Sequence, residues 1–168
     1  MMLAWVAAAM LTQGAIAEVF AETEGWSIAR HAGGCLMTRE FGGTGNTIVT
    51  FSVDPTDTSA PLTILVGNSG WALPDADDEG YRIEFSGSEA VWKDLAVRTF
   101  TTDDDGDGRA DGVIRIGFTS DAITPMLEDV AGATGLHLSR QGETVDRVPL
   151  SGTEAAVHSL GACVSALP

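Results

Sequence analysis

The residues with the clearest chemistry form one short run, Asp103-Asp104-Asp105-Gly106-Asp107-Gly108-Arg109-Ala110-Asp111-Gly112. Counted from Asp103, carboxylates stand at positions 1, 3, 5 and 9 as Asp103, Asp105, Asp107 and Asp111. Gly108 stands at position 6, where a coiled loop must turn sharply, and the Arg109 carbonyl falls at position 7. Ca²⁺ takes about six to eight oxygen ligands, and alternate residues of such a loop converge on one ion. Without a cation these carboxylates repel one another at short range. The spacing therefore predicts a Ca²⁺ site made of Asp103, Asp105, Asp107, Arg109 and Asp111; the plainer alternative is a solvated acidic hairpin tip.

The flanking residues decide what kind of loop this is. Val97 to Thr101 and Val113 to Phe118 read as strands, and position 12, where a helix-loop-helix EF-hand supplies a bidentate Glu, is Ile114. The run resembles instead the hairpin loops of FG-GAP/VCBS-type extracellular repeats. That resemblance covers only residues 103–112 in one copy, so it implies a structural clip between two strands and no propeller. A second acidic stretch, Asp75-Ala76-Asp77-Asp78-Glu79-Gly80, begins in the same way but reaches Ile83 at position 9. It is expected to be a solvated loop.

Other chemistry is sparse. Neither G-x-S-x-G nor H-E-x-x-H occurs. His31, His137 and His158 fall on a loop, the polar face of a strand and a terminal helix, where surface or edge roles are expected. Glu84 and Glu89 are the candidates for a carboxylate pair outside the acidic stretches. Trp26, Trp71 and Trp92 are expected in the core, with a sugar-stacking platform as the alternative and Trp71 the best placed for exposure.

The whole chain carries 9 Lys plus Arg against 24 Asp plus Glu, a net charge of −15. At 44 % apolar and 20 % charged residues it has the means to build a core, which excludes a disordered chain. Nucleic acid and anionic membrane surfaces are poor partners, because phosphate contacts need clustered Lys and Arg. Residues 3–11 form an uncharged apolar run, followed by Ala15-Ile16-Ala17. This is the pattern of a cleavable signal peptide, residues 1–17, although no Lys or Arg precedes the run. The run is too short to span a bilayer, which takes about 20 residues. The remaining segment, 18–168, reads as one β-rich domain. In an oxidising compartment its two cysteines, Cys35 and Cys163, favour a disulfide over a pair of free thiols.

Short alternating strands supply the frame. They are predicted at Trp26 to Ile28, Cys35 to Phe41, Thr47 to Val53, Leu62 to Val66 (central), Tyr81 to Phe85, Val91 to Thr101 and Ile114 to Phe118. A hairpin from Leu136 to Val148 turns at Gln141-Gly142-Glu143. Two helices complete the frame. One lies near 125–131, capped by Thr124 with Pro125 first and ended by Gly132 or Gly135. The C-terminal one opens on a Ser151/Glu154 capping box and turns Ala156, Leu160, Cys163 and Leu167 inward. No helices separate successive strands, so the fold class is mainly β (α+β), an antiparallel sandwich or barrel-like domain.

Several pieces recur in a familiar order: Trp26-x-Ile28, Gly34-Cys35-Leu36-Met37, Leu62 to Asn68 with Trp71, Tyr81-x-Ile83-x-Phe85, Leu150-x-Gly152-x-x-Ala155-Ala156 and Leu160-x-x-Cys163. In these the chain resembles small exported periplasmic proteins of Gram-negative bacteria and is similar to the invasion-associated locus B family. The resemblance implies a periplasmic location and transfers no catalytic residue. Two functions follow as expectations. The first is a non-enzymatic binding or interaction protein, stabilised by a Ca²⁺ loop and one disulfide, with an envelope protein or glycan as partner. The second is a cell-envelope hydrolase acting on glycan or peptide through a carboxylate or His on a sheet face.

Overall fold

A computed structural model describes residues 17–42, 46–102 and 111–168. The strands are β1 (Glu18–Thr23), β2 (Trp26–Arg30), β3 (Cys35–Phe41), β4 (Thr47–Val53), β5 (Leu62–Asn68) and β6 (Ala76–Asp78). After them come β7 (Tyr81–Phe85), β8 (Val91–Trp92), β9 (Ala96–Thr102), β10 (Asp111–Phe118), β11 (Gly135–Arg140) and β12 (Glu143–Pro149). The helices are α1 (Ile123–Ala131) and α2 (Thr153–Ser165). A large antiparallel sheet runs β1-β2-β3-β4-β5-β10-β9-β6, and a smaller one runs β12-β11-β7-β8. Both have open edges among the described residues, so the architecture is sandwich-like and the barrel alternative is set aside.

Alternation explains the layering. Cys35 and Met37 of β3, Val49, Phe51 and Val53 of β4, Leu62, Ile64 and Val66 of β5, and Ile114, Ile116 and Phe118 of β10 bury one face of the large sheet. Tyr81, Ile83, Phe85, Leu136, Leu138 and Val148 of the smaller sheet join the same core, as do Met126 and Val130 of α1 and Ala156, Leu160 and Cys163 of α2. Leu62–Asn68 is a central strand, as expected for Leu62 to Val66, and six of its seven residues are buried. The hairpin between β11 and β12 turns on Gln141 (φ 53°) and Gly142 (φ 88°), the paired positive φ values of a turn whose twist suits antiparallel strands.

Four local expectations are corrected. Val91 to Thr101 is two strands, because Asp94 takes a positive φ of 56° and the chain passes there from the smaller sheet to the large one. The second acidic stretch contains an edge strand: β6 pairs with β9, Asp77 faces Arg98 across the ladder, and Asp75 lies 2.8 Å from that guanidinium. Asp78 meets Arg140 at 2.8 Å. Helix α1 begins at Ile123 after a 3₁₀ turn at Ser120–Ala122, so Pro125 is its third residue and Thr124 does not cap it. Pro125 remains in the first turn, where its missing N–H has no helical partner to lose. Gly132 ends the helix.

The capping box at α2 is also absent. Gly152 is the N-cap in the left-handed region at φ 70°, and no side chain caps the helix. Ser151 is occupied elsewhere: its carbonyl accepts the Trp26 indole N–H at 2.8 Å and Arg39 Nη1 at 3.0 Å, and its Oγ accepts Arg39 at 3.1 Å. The turn before α2 is thereby tied to β2 and β3, beneath which Trp26 packs edge-on to Phe41 at 5.9 Å.

Cys35 and Cys163 form the disulfide, with Cα atoms 6.1 Å apart and both residues fully buried. It joins β3 to α2 across a sequence separation of 128. On the chain-entropy model a loop of that length stabilises by about 5 kcal/mol. Urea unfolding of a Cys35→Ala/Cys163→Ala variant should show a loss of roughly 4–5 kcal/mol; an unchanged midpoint would contradict this role for the bond.

Candidate functional site

The described candidate residues fall chiefly in two places. The first is the start of β10, beside the end of β9. Thr102, the last residue of β9, is directly paired with Asp111, the first of β10. Asp103, Asp105, Asp107 and Arg109 lie outside the described residues; Asp111 is half-buried as the first residue of β10. Beside it Gly112 pairs with Asn68 and packs under Trp71: a Cβ at Gly112 would come within 2.7 Å of the Trp71 carbonyl oxygen. Trp71 is therefore half-buried against the base of the hairpin.

The second place is the open face of the smaller sheet. Outward-facing residues line up in one row across all four strands, Val91–Glu84–His137–Arg147. His137 Nδ1 lies 3.2 Å from Glu84 Oε2, and His137 Nε2 lies 3.0 Å from Thr144 Oγ1. Glu84, Glu89, His137, Arg147 and the Ser86–Val91 loop line one open cleft of about 700 Å³. The two carboxylates singled out in the sequence thus share a cleft with one of the three histidines.

A β-bulge builds this row. Arg140 pairs with Glu143 and Ser139 with Thr144, but Leu138 then pairs with Asp146, leaving Val145 as the extra residue. In an unbroken ladder His137 would oppose Asp146. The bulge moves Arg147 opposite His137 on the open face and leaves Asp146 paired with core-facing Leu138. There Asp146 Oδ2 accepts the Thr47 hydroxyl at 2.8 Å, and Thr47 Oγ1 accepts Asn68 Nδ2 at 2.9 Å. One irregular residue therefore supplies the cleft with a cation and the two sheets with a polar tie.

The remaining candidates separate from this cleft. Trp26 is 1 % exposed and Trp92 donates its indole N–H to Asp129 Oδ2 at 2.8 Å while packing edge-on to Phe118, so no stacking platform forms. His158 is exposed on α2. His31 is half-buried, with Nδ1 3.4 Å from the Gly33 N–H nitrogen and Nε2 3.4 Å from Ser52 Oγ. Among the described residues, no three His, Cys, Asp or Glu side chains gather into a metal site, and no helix is long and apolar enough to cross a membrane. No protein-family model, curated protein or solved structure matches the chain.

Burial pushes the His31 imidazole below its ordinary range, with the Asp54 carboxylate opposing in part. The unfolded chain therefore takes up this proton first as the pH falls below about 6.5. Stability attributable to His31 is complete above that value and is lost as the pH falls toward the lowered folded pKa. Urea midpoints measured between about pH 7.5 and 5.5 should fall, and more steeply in the wild type than in His31→Asn; parallel slopes would overturn the assignment.

Proposed function

We propose that this chain is an exported periplasmic protein whose domain binds rather than catalyses, held by one disulfide and by a Ca²⁺ ion clipping the β9–β10 hairpin. The observation that carries the reading is the pairing of Thr102 with Asp111. It sets the two residues that flank positions 103–110 side by side in one ladder, and carboxylates at positions 1, 3, 5 and 9 of such a run suit one ion. Flanking strands and the absence of a Glu at position 12 favour a structural ion over a sensor. The buried disulfide supports passage into an oxidising compartment, and the apolar run before Ala17 supplies the address. The location agrees with the resemblance to small exported proteins, and an envelope protein or glycan is the class of partner that such a location offers.

Calorimetric titration should show one Ca²⁺ per chain, and saturating Ca²⁺ should raise the melting temperature. Asp105→Ala should abolish both effects. Absence of binding, with melting of Asp105→Ala and wild type alike in the presence or absence of chelator, would overturn the clip.

One observation favours a second reading, a cell-envelope hydrolase. The Thr144–His137–Glu84 chain has the order of hydroxyl, base and orienting carboxylate used in nucleophilic catalysis. Both imidazole nitrogens are engaged, so His137 could relay a proton only through Thr144. Incubation with purified envelope peptidoglycan should release no new amino or reducing ends under the binding reading. Release that disappears in both Thr144→Val and His137→Gln would establish the hydrolase instead.

A further inference from the structure

We propose that the cleft on the open face of the smaller sheet binds a small zwitterion carrying a free amine and a free carboxylate, an amino acid or a short peptide. The proposal rests on the binding reading above and gives its site a ligand class. Its first support is the state of the arginines. Arg98 is held by Asp75, Arg140 by Asp78, and Arg39 by Ser151 and the Glu24 carbonyl. Arg30 lies over the Phe20 ring. Among the described residues, Arg82, Arg115 and Arg147 are the arginines whose side chains have no hydrogen-bond, ion-pair or ring partner, although the chain carries 24 acids.

Arg115 belongs to the large sheet, whereas Arg82 and Arg147 lie on the same face of the smaller one. Arg82 opposes Ser139 one row from Glu84–His137, and the bulge places Arg147 at the end of that row, inside the cleft. An arginine left unpaired in a concave site is suited to a carboxylate, which it can grip through two parallel N–H donors.

The opposite sign of charge stands across the same cleft. Glu84 lies two strands from Arg147, and Glu89 belongs to the loop that forms the wall. Carboxylates there suit an ammonium group while Arg147 holds the acid end. Between them the cleft offers little bulk. Gly135 pairs with Pro149, and a Cβ on Gly135 would come within 3.0 Å of Ser86 Oγ. Val91, 49 % exposed, presents an apolar surface to a short side chain. A ligand with only one charge would leave either the carboxylates or the arginine without its counter-ion, so the two-sign lining selects for both groups on one small molecule.

The test uses the disulfide-bonded protein with Ca²⁺ present and a calorimeter. Alanylalanine is titrated first, followed by its N-acetylated form, its C-amidated form and free alanine. The dipeptide should bind in the millimolar range or tighter, and each cap should weaken binding at least about tenfold. Arg147→Gln, a substitution at an exposed site, should lose about as much for the uncapped dipeptide and respond little to C-amidation. Comparable heats for alanine and alanylalanine would point to a free amino acid as the source, and a preference for the dipeptide to a peptide; either outcome supports the proposal. Equal binding of capped and uncapped forms would overturn it, as would no heat from any probe or cleavage of the dipeptide. None of these failures alters the Ca²⁺ titration, so loss of the ligand and loss of the clip remain distinguishable.

Discussion

The bond between Cys35 and Cys163 holds the last helix against the third strand of the large sheet, and much of the sandwich is arranged around it. Both sulfurs are buried, so α2 can approach only with Ala156 and Leu160 facing the same core. That approach places Ser151 over Trp26 and Arg39, and it explains why α2 starts on a left-handed glycine instead of a capping box. Helix α1 is then enclosed as well: Thr153 Oγ1 donates to the Ala133 carbonyl at 3.2 Å, tying the start of α2 to the end of α1.

With one part of the large sheet's inner face under the helices, the smaller sheet contributes the rest of the cover, and its other face is free to display chemistry. The single bulged residue, Val145, sets which side chains appear there. It turns Asp146 inward to Thr47 and Arg147 outward to the cleft. The strand that braces the two sheets is therefore also the strand that supplies the site's cation. The β9–β10 hairpin lies at the end of the large sheet where Thr47, Asn68 and Gly112 come together through the ladder. A cation held there would act on the same end of the molecule as the Asp146–Thr47–Asn68 tie.

Most of the frame was legible because alternation is a local signal. Cys35–Phe41 and Thr47–Val53 have the ends that their residues predicted, and the bond expected of two cysteines in an oxidising compartment is formed, with Cys163 facing inward on α2. The misreadings fall where a distant contact outweighs a local preference. Ser151 caps well in isolation, but Arg39 and Trp26 engage it. Asp75 to Glu79 reads as a solvated loop until Arg98 and Arg140 arrive from β9 and β11. Val91 to Thr101 keeps its alternation while changing sheets, which no periodicity reveals. The site follows the same rule. Glu84 and His137 were visible as outward-facing residues, but their meeting depends on the β7–β11 register. Arg147 depends on a bulge that the Gln141-Gly142 turn does not announce.

Native mass spectrometry of the protein recovered from the periplasm tests in one spectrum the proposed exported, covalently bridged domain with one Ca²⁺. The predicted mass is that of residues 18–168, less two hydrogens for the Cys35–Cys163 bond, plus one calcium that chelator removes. A chain retaining residues 1–17, with both thiols reduced and no calcium adduct, would contradict it.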